Sequence, residues 1–403
     1  VTSPEVPAVI DPALRRTRLG VAAAFATQGG IFISLTTRLP DFQDRYRLSD
    51  TALSGLLLMM VLLAGVGSVL AETRAKRIES AQLLRAGLVL ITVGVSVVSE
   101  AGSLAVFIAG LAAYGVGLGM VDATTNMQAV ALEHRYGRPI LPSFHGAWTT
   151  GGLVGASFAL ATGSLSLRVI NLVVVVPLAL VVVAPFLRRV GDPLASGPKV
   201  EVPWRPIILV GLGMVVFYMV DTAAFTWGPT YLKNVFAAPH HLVALATFPY
   251  LLASGSMRLA GDTLVARYGA TPVLRVGALI GCAGLAIVVF SPSWPVAVAG
   301  FLVVGGGVAV VAPLSFSAAA RIAGGDAEDA ATRQARVDTV IGRFNQFNYV
   351  GALVGAVLTG VVGSGDLRIG FAVPMVLVLV LIPLARAFAS TGGPAPATDQ
   401  VVP

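Results

Sequence analysis

Leu83-Leu84-Arg85-Ala86-Gly87 returns 190 residues later as Val273-Leu274-Arg275-Val276-Gly277, and Gly151-Gly152-Leu153-Val154-Gly155-Ala156 returns 200 residues later as Gly351-Ala352-Leu353-Val354-Gly355-Ala356. At the first offset Gly65 falls on Gly255, Glu72 on Asp262 and Arg77 on Arg267; Ala109, Gly110, Gly115 and Gly117 fall on Ala299, Gly300, Gly305 and Gly307. At the second, Phe144 falls on Phe344. Gly, Ala, Val and Leu abound in this chain, so one such match carries little. Three blocks in the same order read as a parallel duplication, with a site between the copies near the midplane of a bilayer.

The bilayer follows from composition. The chain has 403 residues, 56% hydrophobic and only 12% charged, against about 25% charged in ordinary soluble domains. So few charges cannot cover a globular surface, and lipid is the solvent for much of the chain. The 45 glycines and 24 prolines fit helices that approach closely in lipid. Cys282 lies in an apolar run and reads as a small packed hydrophobe; no internal disulfide is possible with one cysteine.

Apolar runs predict an all-α integral membrane protein with twelve transmembrane helices, at 17–39, 50–70, 81–99, 103–131, 143–163, 167–187, 206–232, 242–264, 271–290, 295–320, 337–362 and 367–388. The first run is preceded by Arg15, Arg16 and Arg18 but has no small-residue cleavage site, so it reads as a retained helix. Twelve spans put both termini on one side. With that side cytoplasmic, 21 of the 27 Lys and Arg lie inside, as the positive-inside rule requires. The net charge of +7 is therefore read as topology and not as affinity for nucleic acid. The organisation expected is a cytoplasmic disordered tail over 1–13, a six-helix half over 14–187, a polar cytoplasmic linker over 188–205, a second pseudosymmetric six-helix half over 206–388, and a disordered tail over 389–403.

Arg258-Leu259-Ala260-Gly261-Asp262 followed by Arg267-Tyr268-Gly269 resembles the charged loop motif of the major facilitator superfamily; Gly67, Glu72, Arg74 and Arg77 form a degraded first copy. Span four, Gly117-Leu118-Gly119-Met120-Val121-Asp122-Ala123-Thr124-Thr125-Asn126, is similar to the acidic-Thr-x-x-Asn segment of fucose–proton symporter-like transporters, with Asp in place of Glu. Arg38-Leu39-Pro40-Asp41, the stretch from Glu133 to Pro139 and Ser143-Phe144-His145-Gly146-Ala147-Trp148 look like an uncharacterised bacterial branch near that family. The resemblance implies a secondary active transporter working by alternating access, with proton coupling at Asp122. It also implies a gate between the halves built from Glu72, Arg77, Arg258, Asp262, Arg267 and Arg343, with Glu72 approaching Arg343 and Asp262 approaching Ser143 and His145.

Ionisable side chains inside membrane helices are costly and usually functional, and few exist here. Asp221 lies roughly 22 Å into span seven at about 1.5 Å per residue, with nothing basic beside it in sequence. Asp122 and Asn126 share one face of span four at spacing i, i+4. Burial favours the neutral form of a carboxyl, which suits an acid that changes protonation as its access to water changes. His145 and Trp148 open span five at a similar depth, and His145 could share a proton with Asp122. Gln28 in span one and Asn345, Gln346 and Asn348 in span eleven are amides able to bond a polar solute. Tyr218, Phe225 and Trp227 are candidate cavity walls beside Asp221. Each has a plain structural alternative, as a helix–helix tie, an interfacial aromatic or a packing residue.

There is no nucleotide P-loop, no Cys/His metal spacing and no nucleophile–His–acid set, so an enzyme, a resident metal or a cofactor is not expected. His240 and His241 fall in an extracytoplasmic loop and read as solvated. The expected reading is a monomeric, multi-pass protein of the bacterial inner membrane, probing a small polar solute and protons. Two rivals stay open: a proton-driven efflux pump for amphipathic compounds, which calls for a large aromatic cavity, and a membrane sensor that does not transport. The residues leave the solute, the direction and the coupling ion open.

Overall fold

The structure is a computed structural model that describes residues 11–75, 77–136, 140–188, 202–325, 332–333, 336–337, 340, 343–344 and 346–389, the side chains of His134, Pro142 and Asp262 excepted. Its spans are α1 (Pro12–Thr36), α2 (Asp50–Arg74), α3 (Ser80–Glu100), α4 (Leu104–Tyr136), α5 (Leu141–Ala161), α6 (Leu167–Val183), α7 (Trp204–Phe236), α8 (Phe248–Tyr268), α9 (Ala270–Phe290), α10 (Trp294–Gly324), α11 (Gln346–Val362) and α12 (Leu367–Phe388). Among the described residues nine helices meet the length and hydropathy needed to cross a bilayer; α6, α11 and the 21-residue α5 complete twelve. A short surface helix, Leu39–Tyr46, links α1 to α2.

The boundaries follow local chemistry. Asp11 accepts a hydrogen bond from the Ala13 amide at 2.8 Å and Pro12 occupies the first turn, so α1 starts before the boundary expected at residue 14. Ser49 caps α2 and Asp366 caps α12 in the same way. α7 starts at Trp204, inside the stretch expected to be linker; most of that linker and both tails lie outside the described residues. α10 breaks at Ala309–Val310. Pro313 has no N–H to return to the Ala309 carbonyl four residues earlier, which leaves that carbonyl in need of another donor.

Packing repeats between the copies. In the first half α1 packs on α5, α4 on α2 and α3, and α6 on α3; in the second, α7 packs on α11, α10 on α8 and α9, and α12 on α9. The halves meet where α2 faces α11 and α5 faces α8. The repeated glycines explain part of this. A Cβ at Gly115 would press on the Met60 carbonyl, and one at Gly305 would strike the Tyr250 carbonyl. Met60 and Tyr250 are themselves 190 residues apart. Small residues there let backbones touch, which is how helices gain contact in a solvent as apolar as their side chains.

Side chains such as Val182, Val183, Leu259 and Phe290 stand more than 70% exposed on the outer surface, the area that lipid covers. Replacing Gly115 or Gly305 by Leu is expected to destabilise the protein by about 1–3 kcal/mol through overpacking, seen as a lower melting temperature in detergent. Gly306→Ala, where an added Cβ meets nothing within 4 Å, should leave it unchanged.

Candidate functional site

α1, α2, α4, α5, α7, α8 and α11 enclose a cavity of about 170 Å³ between the halves. Helices α3, α6, α9 and α12 contribute nothing to its lining and serve as outer supports. One wall is aromatic. Phe32 and Trp148 of the first half meet Phe225 of the second, with ring centroids 6.2–6.5 Å apart.

Asp122 projects into this cavity from α4. Tyr349, on α11 of the other half, donates its hydroxyl to Asp122 Oδ2 at 2.5 Å. Gln28, on α1, donates Nε2 to Oδ1 at 3.4 Å. With its amide nitrogen turned to the carboxylate, Gln28 leaves Oε1 buried and without a hydrogen-bond partner. Asn126 also lines the cavity, its Nδ2 donating to the Asp122 backbone carbonyl at 2.9 Å.

Asp221 projects from α7 into the same cavity, so the two acids on different halves share one space. Its described partner is Tyr250 on α8 of its own half, whose hydroxyl donates to Oδ1 at 2.8 Å. Tyr250 is held in turn by edge-on packing against Phe225 at 5.2 Å.

Arg258 is the cation of the cavity. Arg258 was expected near the cytoplasmic end of span eight as part of a gate; it lies at the middle of α8, ten residues from either end, and lines the cavity wall. Its guanidinium is held at the break in α10, where Arg258 Nε donates at 3.3 Å to the Ala309 carbonyl, which Pro313 cannot satisfy. Nη1 donates to Thr149 Oγ1, on α5 of the other half, at 3.0 Å, and the guanidinium stands 5.8 Å from the centroid of the Phe217 ring. Among the described residues no carboxylate lies within 4.0 Å of it.

The other expected residues divide. His145, Trp148, Tyr218, Asn348 and Phe225 line the cavity. His145 does so between rings, 5.6 Å from Phe25 and 6.1 Å from Phe316; no hydrogen bond to Asp122 is seen. Trp227 does not line it. Its indole N–H is committed to the Ala356 carbonyl at 2.7 Å and the side chain is fully buried in packing, because α7 turns that face toward α11. Gln346 is exposed at the start of α11, and Asn345 lies outside the described residues. The expected approach of Glu72 to Arg343 is not made: Glu72 is exposed and accepts from Ser68 on its own helix at 3.3 Å, while Arg343 lies over the Trp204 ring at 5.7 Å. Arg77 is exposed, and Arg267 is exposed over its neighbour Tyr268. The side chain of Asp262 lies outside the described residues, and Ser143, its expected partner, accepts from Arg18 at 3.1 Å. Tyr349, Tyr250, Thr149 and the cavity role of Arg258 were missed in the sequence.

The Major Facilitator Superfamily model matches residues 3–139 and 210–401. The chain belongs to the major facilitator superfamily. It is 28% identical over 389 residues to an uncharacterised MFS-type transporter of Yersinia pestis, covering 90% of this chain and 97% of that one. Its fold is similar to that of the nucleoside transporter NupG in a mutant form, with a TM-score of 0.68, 13% identity and coverage of 92% and 98%. It is also similar to FucP in an outward conformation, with a TM-score of 0.60, 17% identity and coverage of 93% and 98%. At such identities the two structures carry the fold alone.

In this superfamily member the halves are also joined at the face opposite the termini. Lys233 of α7 pairs with Asp44 on the surface helix and donates to the Pro40 carbonyl at 3.0 Å. His240 lies 2.5 Å from Asp41 and 2.9 Å from the Gly163 carbonyl, so it makes a cross-half contact while staying exposed, as His241 also does. Arg38 ties Asp41 to the end of α5 through Thr162 and Gly163. Asp44→Asn combined with Lys233→Met should shift the halves apart at this face. Spin labels at Leu165→Cys and His241→Cys, in a Cys282→Ser background, should report longer distances by pulsed electron resonance; an unchanged distribution would show that packing, and not the ion pairs, closes this face.

Proposed function

We propose that this transporter is a proton-coupled secondary carrier of a small polar solute, working by alternating access, with Asp122 as the coupling acid. The observation that carries this reading is the 2.5 Å bond from Tyr349 to Asp122, made from one half to the other. Charge-assisted hydrogen bonds are about twice as strong as neutral ones. An ionised Asp122 therefore holds α4 to α11, and a proton on it weakens that link. Asp221 differs in kind: its described tie is to Tyr250 within the same half, so its protonation need not alter the contact between halves. Asp221, Gln28, Asn126, Asn348 and Tyr218 are assigned to solute binding, with His145 and Trp148 as wall residues.

The excess of Lys and Arg in the loops on the terminal side supports cytoplasmic termini in a bacterial inner membrane. Each half packs against the other around the cavity, which supports a monomer as the working unit. The aromatic wall of Phe25, Phe32, Trp148, Phe217 and Phe225 favours a second reading, efflux of amphipathic compounds. The size of the cavity, about 170 Å³, argues against it, since pockets for drug-sized ligands span about 300–1,000 Å³.

The test is proton movement in proteoliposomes carrying a lumenal pH dye while solutes are supplied. Asp122→Asn should abolish solute-driven proton flux while retaining solute exchange. Asp221→Asn should raise the half-saturating solute concentration at least tenfold, and Tyr349→Phe should lower the proton-to-solute ratio. Equal solute movement without proton flux in wild type and all three variants would make both acids structural and the protein a uniporter.

A further inference from the structure

We infer that the solute carries a carboxylate, and that Arg258 is the residue that binds it. This rests on the transport reading above and names the chemistry of the same cavity. An arginine inside a membrane protein is expensive and normally finds an anion. Arg258 is placed there by construction, clamped to the carbonyl that Pro313 frees. Its described hydrogen bonds use two of five N–H groups, both to neutral acceptors. The buried hydroxyl of Ser254 also lines the cavity and can add a donor to an anion, whereas that of Thr149 already donates to the His145 carbonyl.

Asp221 faces Arg258 in the same cavity and feels its charge, but makes no ion pair with it within 4.0 Å. Each of the two acids already accepts from a tyrosine hydroxyl, Asp122 from Tyr349 and Asp221 from Tyr250. Gln28 supplies an independent marker: its Oε1 is an orphan acceptor in a side chain 95% buried at the cavity wall. A buried acceptor left unpaired is costly, and a hydroxyl or N–H on the solute would satisfy it. A cavity of about 150 Å³ holds a benzene-sized guest, so one of about 170 Å³ suits roughly six to ten heavy atoms. The solute class is thus a small carboxylate bearing a hydroxyl or amino donor.

Charge balance separates its two forms. With both acids ionised, Asp122, Asp221 and Arg258 sum to one negative charge. A monoanion entering with one proton leaves that sum unchanged. A zwitterionic amino acid entering with one proton raises it by one, which makes its transport depend on membrane potential.

The test uses the full-length protein in proteoliposomes with a lumenal pH dye, protein-free liposomes correcting for passive acid leak. Hydroxy-monocarboxylates, neutral amino acids, neutral polyols and primary amines are supplied in turn, with radiolabelled uptake measured in parallel. Carboxylates are expected to be taken up with protons; Arg258→Gln should raise the half-saturating concentration at least tenfold, Arg258→Lys less, and Ser254→Ala a few-fold. Size-exclusion profiles check that each variant folds, and Ser254→Ala serves if Arg258→Gln does not. Uptake independent of potential identifies the monoanion, and uptake driven by a negative interior identifies the zwitterion. If a polyol or an amine drives proton flux and no carboxylate does, the carboxylate inference is overturned while proton coupling stands. If carboxylate uptake needs Arg258 but moves no protons and ignores Asp122→Asn, proton coupling falls while the carboxylate inference stands.

Discussion

A charged group within a hydrocarbon slab has no water to turn to, so its partners must be supplied by other helices. Three such groups meet in this cavity, and their partners decide how the halves are joined. Asp122 draws donors from α1 of its own half and α11 of the other. Arg258 reaches from α8 to Thr149 on α5, again across the boundary. Only the described bond of Asp221 stays within one half. The hydrogen bonds that satisfy buried charge are thus the same bonds that tie the halves at mid-membrane. Any change in the charge of Asp122, or in what occupies Arg258, acts on the contact between halves directly.

The duplication sharpens this. At the 200-residue offset Tyr349 takes the place of Thr149, and at the 190-residue offset Arg258 takes the place of Ser68. The two boundaries, α2 against α11 and α5 against α8, are therefore built from equivalent positions with different chemistry. One carries a tyrosine that donates to a carboxylate, the other an arginine that donates to a threonine. Gly115 and Gly305 make the same close approach in both copies, although α4 runs unbroken where α10 breaks at Ala309–Val310. Asymmetry extends to side chains that face the cavity, where the proposed reading has one boundary answering to a proton and the other to a ligand.

The architecture was legible because it is written in quantities that single residues cannot easily disguise. Apolar runs of bilayer length, glycines at a fixed offset and arginines gathered on one side each leave a mark in the chain. Asp122, Asp221, Gln28, Asn126 and Tyr218 were legible for a related reason: polar groups are rare within the spans, so each is conspicuous. Tyr349 and Tyr250 were not, because a tyrosine in a membrane helix is equally at home in packing or at an interface, and only its hydroxyl partner reveals which. Trp227 shows the opposite error. It lies six residues beyond Asp221, which puts it on a different face of α7, and its indole serves helix packing. Arg258 was seen, but its motif pointed to the end of span eight, whereas it sits at the middle of α8 and bonds the Ala309 carbonyl that Pro313 cannot satisfy. The Thr149–Tyr349 and Ser68–Arg258 correspondences were available in the repeat and would have marked both.

The far face adds a constraint that the cavity alone does not supply. There Arg38 and Asp41 are largely buried against the end of α5, whereas the pairs Lys233–Asp44 and His240–Asp41 each keep one partner exposed to water. Ion pairs in such surroundings are individually weak, typically under about 1 kcal/mol, and exchange readily with solvent. The mid-membrane bonds, Tyr349 to Asp122 and Arg258 to Thr149, line the cavity between the halves. A cycle of opening therefore has an inexpensive step at the far face and a demanding one at the cavity, where Tyr349 and Thr149 cannot leave their partners until something replaces them. In the proposed cycle a proton on Asp122 and an anion on Arg258 would be replacements of that kind, one for each boundary. Coupling between the two then needs no long-range signal: both ligands loosen the same pair of half-to-half contacts, from within one cavity.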